Sequence, residues 1–291
     1  MTKIKLIKLD YLSTLRFSGE GALELLQGQL TCDMEKVNEQ YSSLGALCNI
    51  KGRVISSFLV TPGKKNGFNL IGPKETIIKT HETLKKYLPF YKVEVEQDSS
   101  YNFYAIDKKD FKKFFEIEIP DHKNTLVYEN VRFISYLKKE FLLAIKQSKD
   151  KSEFLKDSKP QNSIYEWFLD EIYALNIEVT EELSGLYTPH ELSYDTTRRV
   201  DFNKGCYTGQ EIVARMHYRA KNLPKIMLAE CNEIDLKVNM TICDKKDKKV
   251  GNIVKIVNKS DKSICVLSLK TNELTQEFQV KGTSATLIPI Q

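Results

Sequence analysis

The sequence has little of what would mark a metal module, a secreted scaffold or a membrane protein. Its six cysteines, at positions 32, 48, 206, 231, 243 and 265, include no CxxC pair and no cysteine–histidine ligand spacing, which argues against a zinc module and a disulfide framework. They are read as the reduced thiols of a cytoplasmic protein. The four histidines, His81, His122, His190 and His217, are scattered, so no metal centre is expected. Only His190, beside Pro189 in a long loop, holds an informative position. No apolar run is long enough to cross a bilayer, and the first fifteen residues alternate lysine with Ile4, Leu6 and Leu9 as a strand does, not as a leader. Neither sign of charge dominates, since 44 basic and 39 acidic residues leave a net +5 with the signs interspersed. With no aromatic-basic motif either, direct binding to nucleic acid is argued against.

What is present is a core. Across 291 residues, 41% hydrophobic and 10% aromatic content fills two or more small domains. Residues 4 to 17 read as extended, and Ser18 opens a helix through Leu26 that Gly28 closes. Apolar runs on either side of Lys51-Gly52 predict a hairpin, Gly63 to Gly67 a second turn, and Pro73 the start of a helix carrying Ile77 and Leu84. Short strands follow at 92–96, 102–106, 131–137 and 140–145, with a helix near 110–115, an α+β texture. The lysine-rich runs 108–113 and 150–159 read as solvated faces. Ser163 caps a helix that carries the single tryptophan, Trp167, and runs to Leu175. A long irregular segment, 176–203, comes next, a length that usually has a functional reason. A tryptophan on such a helix is most often core, although an indole at a cleft wall also stacks well on a flat heterocycle. Beyond Pro224, five short strands at 225–230, 249–257, 264–269, 278–280 and 285–288 predict a closed or partly closed barrel. The expected division is residues 1–223 as a two-part α+β body and 224–291 as a small β-barrel domain.

The densest chemistry is Lys204-Gly205-Cys206-Tyr207-Thr208-Gly209-Gln210-Glu211. Thr208 followed by Glu211 and an apolar run has the form of a capping box, with Thr208 as N-cap. Cys206 would then stand near a helix N-terminus and two residues from Lys204, and both favour a thiolate. Buried packing is the alternative for the thiol, and an i,i+4 pair with Arg215 is a sufficient structural role for Glu211.

This octapeptide resembles the signature of the folate-binding YgfZ family, which is related to a mitochondrial iron–sulfur assembly factor and, more distantly, to the glycine-cleavage aminomethyltransferases. Gln27-Gly28-Gln29 with Thr31 and Asp33, the stretch Cys48 to Arg53, Pro189 with Glu191, and Tyr218-Arg219 resemble further family blocks in the same order. The resemblance implies an aminomethyltransferase-like fold of three subdomains around a central opening, a bound tetrahydrofolate or one-carbon derivative, and support for assembly or repair of iron–sulfur enzymes, among them those that thiomethylate tRNA. It makes Cys206 the key thiol and puts Trp167 at the folate site. Where family members can carry a second tryptophan this chain has Leu12, and Ala220 and Lys225 replace the usual glycine and arginine. Folate chemistry then suggests Trp167 and Tyr207 as walls, Gln29, Asp33, Gln210 and Glu211 as polar edge contacts, and Arg53, Lys204 and Arg215 as cations for the glutamate tail. A folate-dependent one-carbon transferase is the alternative, with Asp33 and Glu191 as the nameable acid–base groups. The expected partners are folate and iron–sulfur proteins or assembly factors, with no membrane.

Overall fold

The computed structural model describes residues 4–149, 158–161, 163–220, 222–259, 261–270 and 276–290. The stretch expected to be one extended segment is two strands that enter different sheets. Ile4–Lys8 lies in a six-stranded sheet ordered Ser158–Gln161, Ile4–Lys8, Tyr101–Asp107, Phe141–Gln147, Val131–Ile134, Thr125–Tyr128. Leu12–Ser18 lies in a five-stranded sheet ordered Ser43–Cys48, Val54–Pro62, Phe68–Pro73, Leu12–Ser18, Glu94–Asp98. The change of sheet takes three residues, with the Leu12 N–H closing a turn on the Leu9 carbonyl, and it puts Tyr11 at the junction.

Alternation along Val54–Pro62 explains how the second sheet is covered on both faces. Phe58 and Val60 point to a core shared with Leu25, Leu26 and Ile77 from the two flanking helices, Ala22–Gln29 and Lys74–Leu84. Leu59 points the other way, into a cluster with Leu12, Leu44, Ile71, Phe103 and Trp167 that joins the two sheets. The predicted turn at Gly52 forms, with φ +67. Beyond residue 224 the strands Lys225–Cys231, Thr241–Cys243, Lys249–Lys259, Lys262–Leu269, Phe278–Val280 and Thr286–Pro289 close into a barrel around Ala229, Ile253, Leu267 and Phe278.

Several boundaries differ from the sequence reading for identifiable reasons. The first helix starts after Gly21 and keeps Gly28 inside its last turn. Ser163 is not the N-cap of the tryptophan helix, which spans Tyr165–Tyr173 with Ile164 at that position. Thr125–Tyr128, Ser158–Gln161 and Thr241–Cys243 are strands too short to show alternation, and pairing with their neighbours in the sheets defines them. The segment 176–203 is irregular apart from two 3-10 turns, Glu181–Leu183 and Pro189–Leu192, and the run 150–159 falls mostly outside the described residues.

One buried polar hub fastens the three parts together. Glu171 on the tryptophan helix, with no exposed surface, receives hydrogen bonds from Lys139, from the Tyr136 hydroxyl at 3.2 Å and from Asn176. Lys139 and Tyr136 follow the first sheet's Val131–Ile134 strand. From Asn176 the network passes to Arg199, whose guanidinium donates to Asn176 Oδ1 at 2.6 Å and to the carbonyls of Gly45 and Phe58 in the second sheet at 3.1 and 3.0 Å. The barrel joins through Lys255, just past a register shift in its strand, which donates to the Asn176 carbonyl at 2.7 Å and lies 3.6 Å from Glu171.

Candidate functional site

The signature loop is locked by two glycines. Gly209 has φ +83, and a Cβ there would lie 2.4 Å from the Asn49 carbonyl oxygen; a Cβ on Gly52 would lie 3.0 Å from that of Ile212. Only residues without side chains let the Lys51-Gly52 turn seat against the start of the Gln210–Arg219 helix. This arrangement corrects the expected capping box. Gly209 is the N-cap, and the Thr208 hydroxyl instead donates to Gln29 Oε1 at 3.0 Å, while its N–H reaches the Gly28 carbonyl at 3.2 Å. A capping box does form, but at Thr188, where Glu191 Oε2 accepts from the Thr188 N–H and hydroxyl at 2.9 Å each.

Lys204 does not reach toward Cys206 as a charge partner. Its buried ammonium donates to the carbonyls of Gln27, Leu30 and Cys32 at 2.7, 2.6 and 2.9 Å, one for each of its protons. Burial pulls this ammonium's pKa down, although three carbonyls in its first shell favour the charged form. All six cysteines are free; Cys206 is exposed and the other five are buried. Tyr207 is buried, its hydroxyl without a hydrogen-bond partner among the described residues, and burial pushes its pKa up.

The remaining sequence candidates divide clearly. Asp33 caps the Met34–Lys36 turn, accepting from Glu35 N–H at 3.2 Å and Gln27 Nε2 at 3.0 Å, with Lys36 at 3.3 Å. Arg53 donates to the Leu186 carbonyl and to Glu191, both at 2.8 Å, and Lys270 completes Glu191 at 2.9 Å. Burial alone would raise Glu191, but the Thr188 amide and Lys270 outweigh it and hold the carboxyl below its ordinary value. Asp33 and Glu191, the acid–base groups named from the sequence, are thus engaged in a turn and a cap. Gln210 helps begin its helix, its N–H on the Tyr207 carbonyl at 3.1 Å. Glu211 and Arg215 are exposed, and among the described residues no ion pair joins them.

Trp167 is fully buried. Its indole N–H donates to the Tyr11 hydroxyl at 3.0 Å, Tyr11 donates in turn to Glu178 at 3.1 Å, and the Lys139 ammonium sits 3.1 Å from the indole centroid. Leu12 shares its cluster. Burial and the nearby Glu171 charge both raise the Glu178 carboxyl, so this group, unlike Asp33 and Glu191, is disposed to exchange a proton. Glu171 stays low in spite of burial because Lys139 and Lys255 stand beside it. Next to this buried cluster opens a cavity of about 710 Å³ lined by Leu44, Tyr136, Leu137, Lys138, Tyr173 and Arg198, among others. Leu44, Tyr136 and Leu137 belong to the Trp167 cluster, so that cluster forms one wall of the cavity. Sequence reasoning missed Tyr11, Tyr136, Lys139, Glu171 and Glu178. Only Glu171 and Glu178 left a signal, as acids on and just after one amphipathic helix.

Three subdomains around such a centre are the architecture of the glycine-cleavage aminomethyltransferases. The structure superposes on the crystal structure of glycine cleavage system aminomethyltransferase T from Bartonella henselae with a TM-score of 0.69, covering 100% of this chain and 85% of that one. At 11% identity the likeness is one of fold. Sequence narrows the class. A tRNA-modifying protein YgfZ from Colwellia psychrerythraea is 32% identical over 231 residues, covering 75% of this chain and 68% of that protein. Proteins of the same name from Vibrio atlanticus and from Buchnera aphidicola of Acyrthosiphon pisum are 25% and 27% identical, covering 94% and 96% of the chain. The chain belongs to the YgfZ family. No protein-family model matches it. Among the described residues no helix is long and apolar enough to cross a membrane.

Proposed function

We propose that this chain binds tetrahydrofolate or a one-carbon derivative between its sheets and supports the assembly or repair of iron–sulfur enzymes in the cytoplasm, and through them tRNA modification. The observation that carries the reading is the cavity that opens beside the buried hub. Tyr136 and Leu44 wall it and Lys138 and Arg198 stand on it for a glutamate tail, while behind that wall the buried cluster holds Trp167 and Leu12 as flat and apolar surface and Glu178 as a carboxyl for the donor edge of a pterin. The donor set fits a folate. The cavity's volume of about 710 Å³ lies within the range of cofactor sites. The fold shared with aminomethyltransferase T and the name of the relatives point the same way. Tetrahydrofolate, when bound, carries one-carbon units; the chain's residues bind it, exclude water and hold a proton at Glu178. Stacking on Trp167 requires Lys139 to leave the indole face, where it now sits.

Calorimetric titration of the purified protein with tetrahydrofolate tests the ligand. Micromolar binding that weakens at least tenfold in Trp167→Ala supports the site; no heat with the wild type ends the folate reading. In this reading Cys206, exposed on a rigid loop, is the thiol that meets a sulfur species or a partner protein. Cells lacking the protein and supplied with Cys206→Ala should show reduced activity of iron–sulfur tRNA-modifying enzymes, and full activity would remove the thiol from the function. A one-carbon transferase is the second reading, favoured by Glu178, whose raised pKa and place beside Tyr11 suit an acid–base group. Mass spectrometry of methylene-tetrahydrofolate incubated with candidate acceptors decides it, because an unchanged folate leaves a binder.

A further inference from the structure

Outside this site, the fold brings together two histidines that stand 27 positions apart in the sequence. His190 belongs to the Pro189–Leu192 turn and His217 to the last turn of the Gln210–Arg219 helix, and one ligand atom from each, with one from Asp195, all lie within 4.8 Å of one another. His190 is 2% exposed, yet neither of its ring nitrogens has a hydrogen-bond partner among the described residues. An imidazole buried with both nitrogens unmatched is costly, and a third party that accepts its lone pair removes the deficit. His217 is held in place by stacking on Phe202, ring centroids 3.7 Å apart and planes 16° apart. Its helix end is exposed, and Asp195 is half-buried, so one side of the cluster faces solvent.

We propose that His190, Asp195 and His217 form a binding site for a divalent first-row transition ion. Two imidazoles and one carboxylate are the ligand set of borderline ions such as zinc(II), and three protein ligands leave a coordination position open to water or to a partner's side chain. Tetrahedral ligands about 2.0–2.1 Å from zinc are roughly 3.4 Å apart, so the cluster has to contract by little more than an ångström at its widest. Small shifts of Asp195 and of the exposed His217, sliding in its stacking plane on Phe202, accomplish this without moving the buried His190. Sequence spacing concealed the site because its ligands come from a turn, a loop and a helix end.

The test uses tag-free protein titrated with Co²⁺ by visible absorption and with Zn²⁺ in competition, with Mg²⁺ as the control. The expected result is one site with d–d bands, displaced by Zn²⁺ and unaffected by Mg²⁺, whose affinity falls at least about 100-fold in His217→Ala and in Asp195→Asn. Cys206→Ser should keep the same spectrum and affinity, since the thiol is outside the ligand set. Circular dichroism establishes that the two ligand variants, both altered at solvent-facing positions, remain folded. Absence of Co²⁺ and Zn²⁺ binding at micromolar concentrations, binding unchanged in His217→Ala, or binding lost in Cys206→Ser would each overturn the assignment.

Discussion

Lys204 discriminates between two accounts of the signature loop. As a charge partner of Cys206 it would tune reactivity; as found, it is an anchor whose ammonium ties the loop to the carbonyls of Gln27, Leu30 and Cys32. Lys204→Met keeps the length of the stem and removes the donors. Each charge-assisted hydrogen bond contributes about 1.5–3 kcal/mol, so the three together amount to roughly 4.5–9 kcal/mol gross. Several kcal/mol return because the variant no longer buries an ammonium. A net loss of about 2–4 kcal/mol remains, and at roughly 2 °C per kcal/mol for a chain of this size the Tm should fall by about 4–8 °C. Differential scanning fluorimetry measures that fall, and the rate of alkylation of Cys206 by a maleimide under native conditions measures the thiol. The anchor account predicts a lower Tm with a rate within about twofold of wild type. An unchanged Tm with a rate several-fold slower would refute it and return Lys204 to the role of activating cation.

Three further outcomes follow from the same geometry. A thiol reagent should modify one cysteine quickly and five slowly, because Cys206 alone is exposed and burial pushes Cys32 up to about 11 and Cys48 and Cys265 up to about 12; mass mapping of the fast product to any other cysteine would contradict this. Gly209→Ala puts a side chain in a left-handed conformation and 2.4 Å from the Asn49 carbonyl, so denaturant unfolding should show a loss of about 2–5 kcal/mol, whereas Gly205→Ala, with open space around it, should lose little. The depressed carboxyl of Glu191 contributes stability that is fully present above its ordinary value of 4.5 and lost as pH falls through its lower folded value. Acid unfolding of Glu191→Gln should accordingly be shallower than that of wild type below pH 4.5, and identical curves would show that the Arg53–Glu191–Lys270 cluster carries no linkage.

The parts of the fold legible in the sequence are those with local causes. The hairpin at Gly52 could be read because a positive φ there has few alternatives to glycine, and the barrel strands because they alternate against charged turns. The capping box was misread because Thr208 and Glu211 have the right spacing for one, whereas the deciding contact comes from elsewhere in the chain. Gly209 starts the helix since the Asn49 carbonyl leaves no room for a side chain, and Thr208 is drawn to Gln29, 179 residues earlier. Local grammar also placed a capping box at neither Thr188 nor Glu191, although the same Thr-x-x-Glu pattern stands there, because no apolar helical run follows it.

The hub was illegible for a stronger reason. Its members, from Tyr11 to Lys255, make their interactions across almost the whole chain, and taken singly each looks ordinary: Glu171 as the polar face of a helix, Lys139 as a turn lysine, Glu178 as a loop acid. Two carboxyls and two ammonium groups are taken out of water together only if each is paired there, and the cost of removing one partner, about 3–5 kcal/mol, falls on all three subdomains at once. The network is therefore a constraint on the candidate site as well as on the fold. Lys139 neutralises Glu171 while covering Trp167, so a ligand that stacks on the indole displaces an ammonium that Glu171 still needs. A ligand bearing anionic groups can keep that ammonium engaged as it moves, and a neutral heterocycle alone cannot. If the ligand is the folate proposed above, its charged tail contributes to uncovering Trp167, and a pterin without its glutamate should bind far more weakly in the same calorimetric titration than the size of its ring system would suggest.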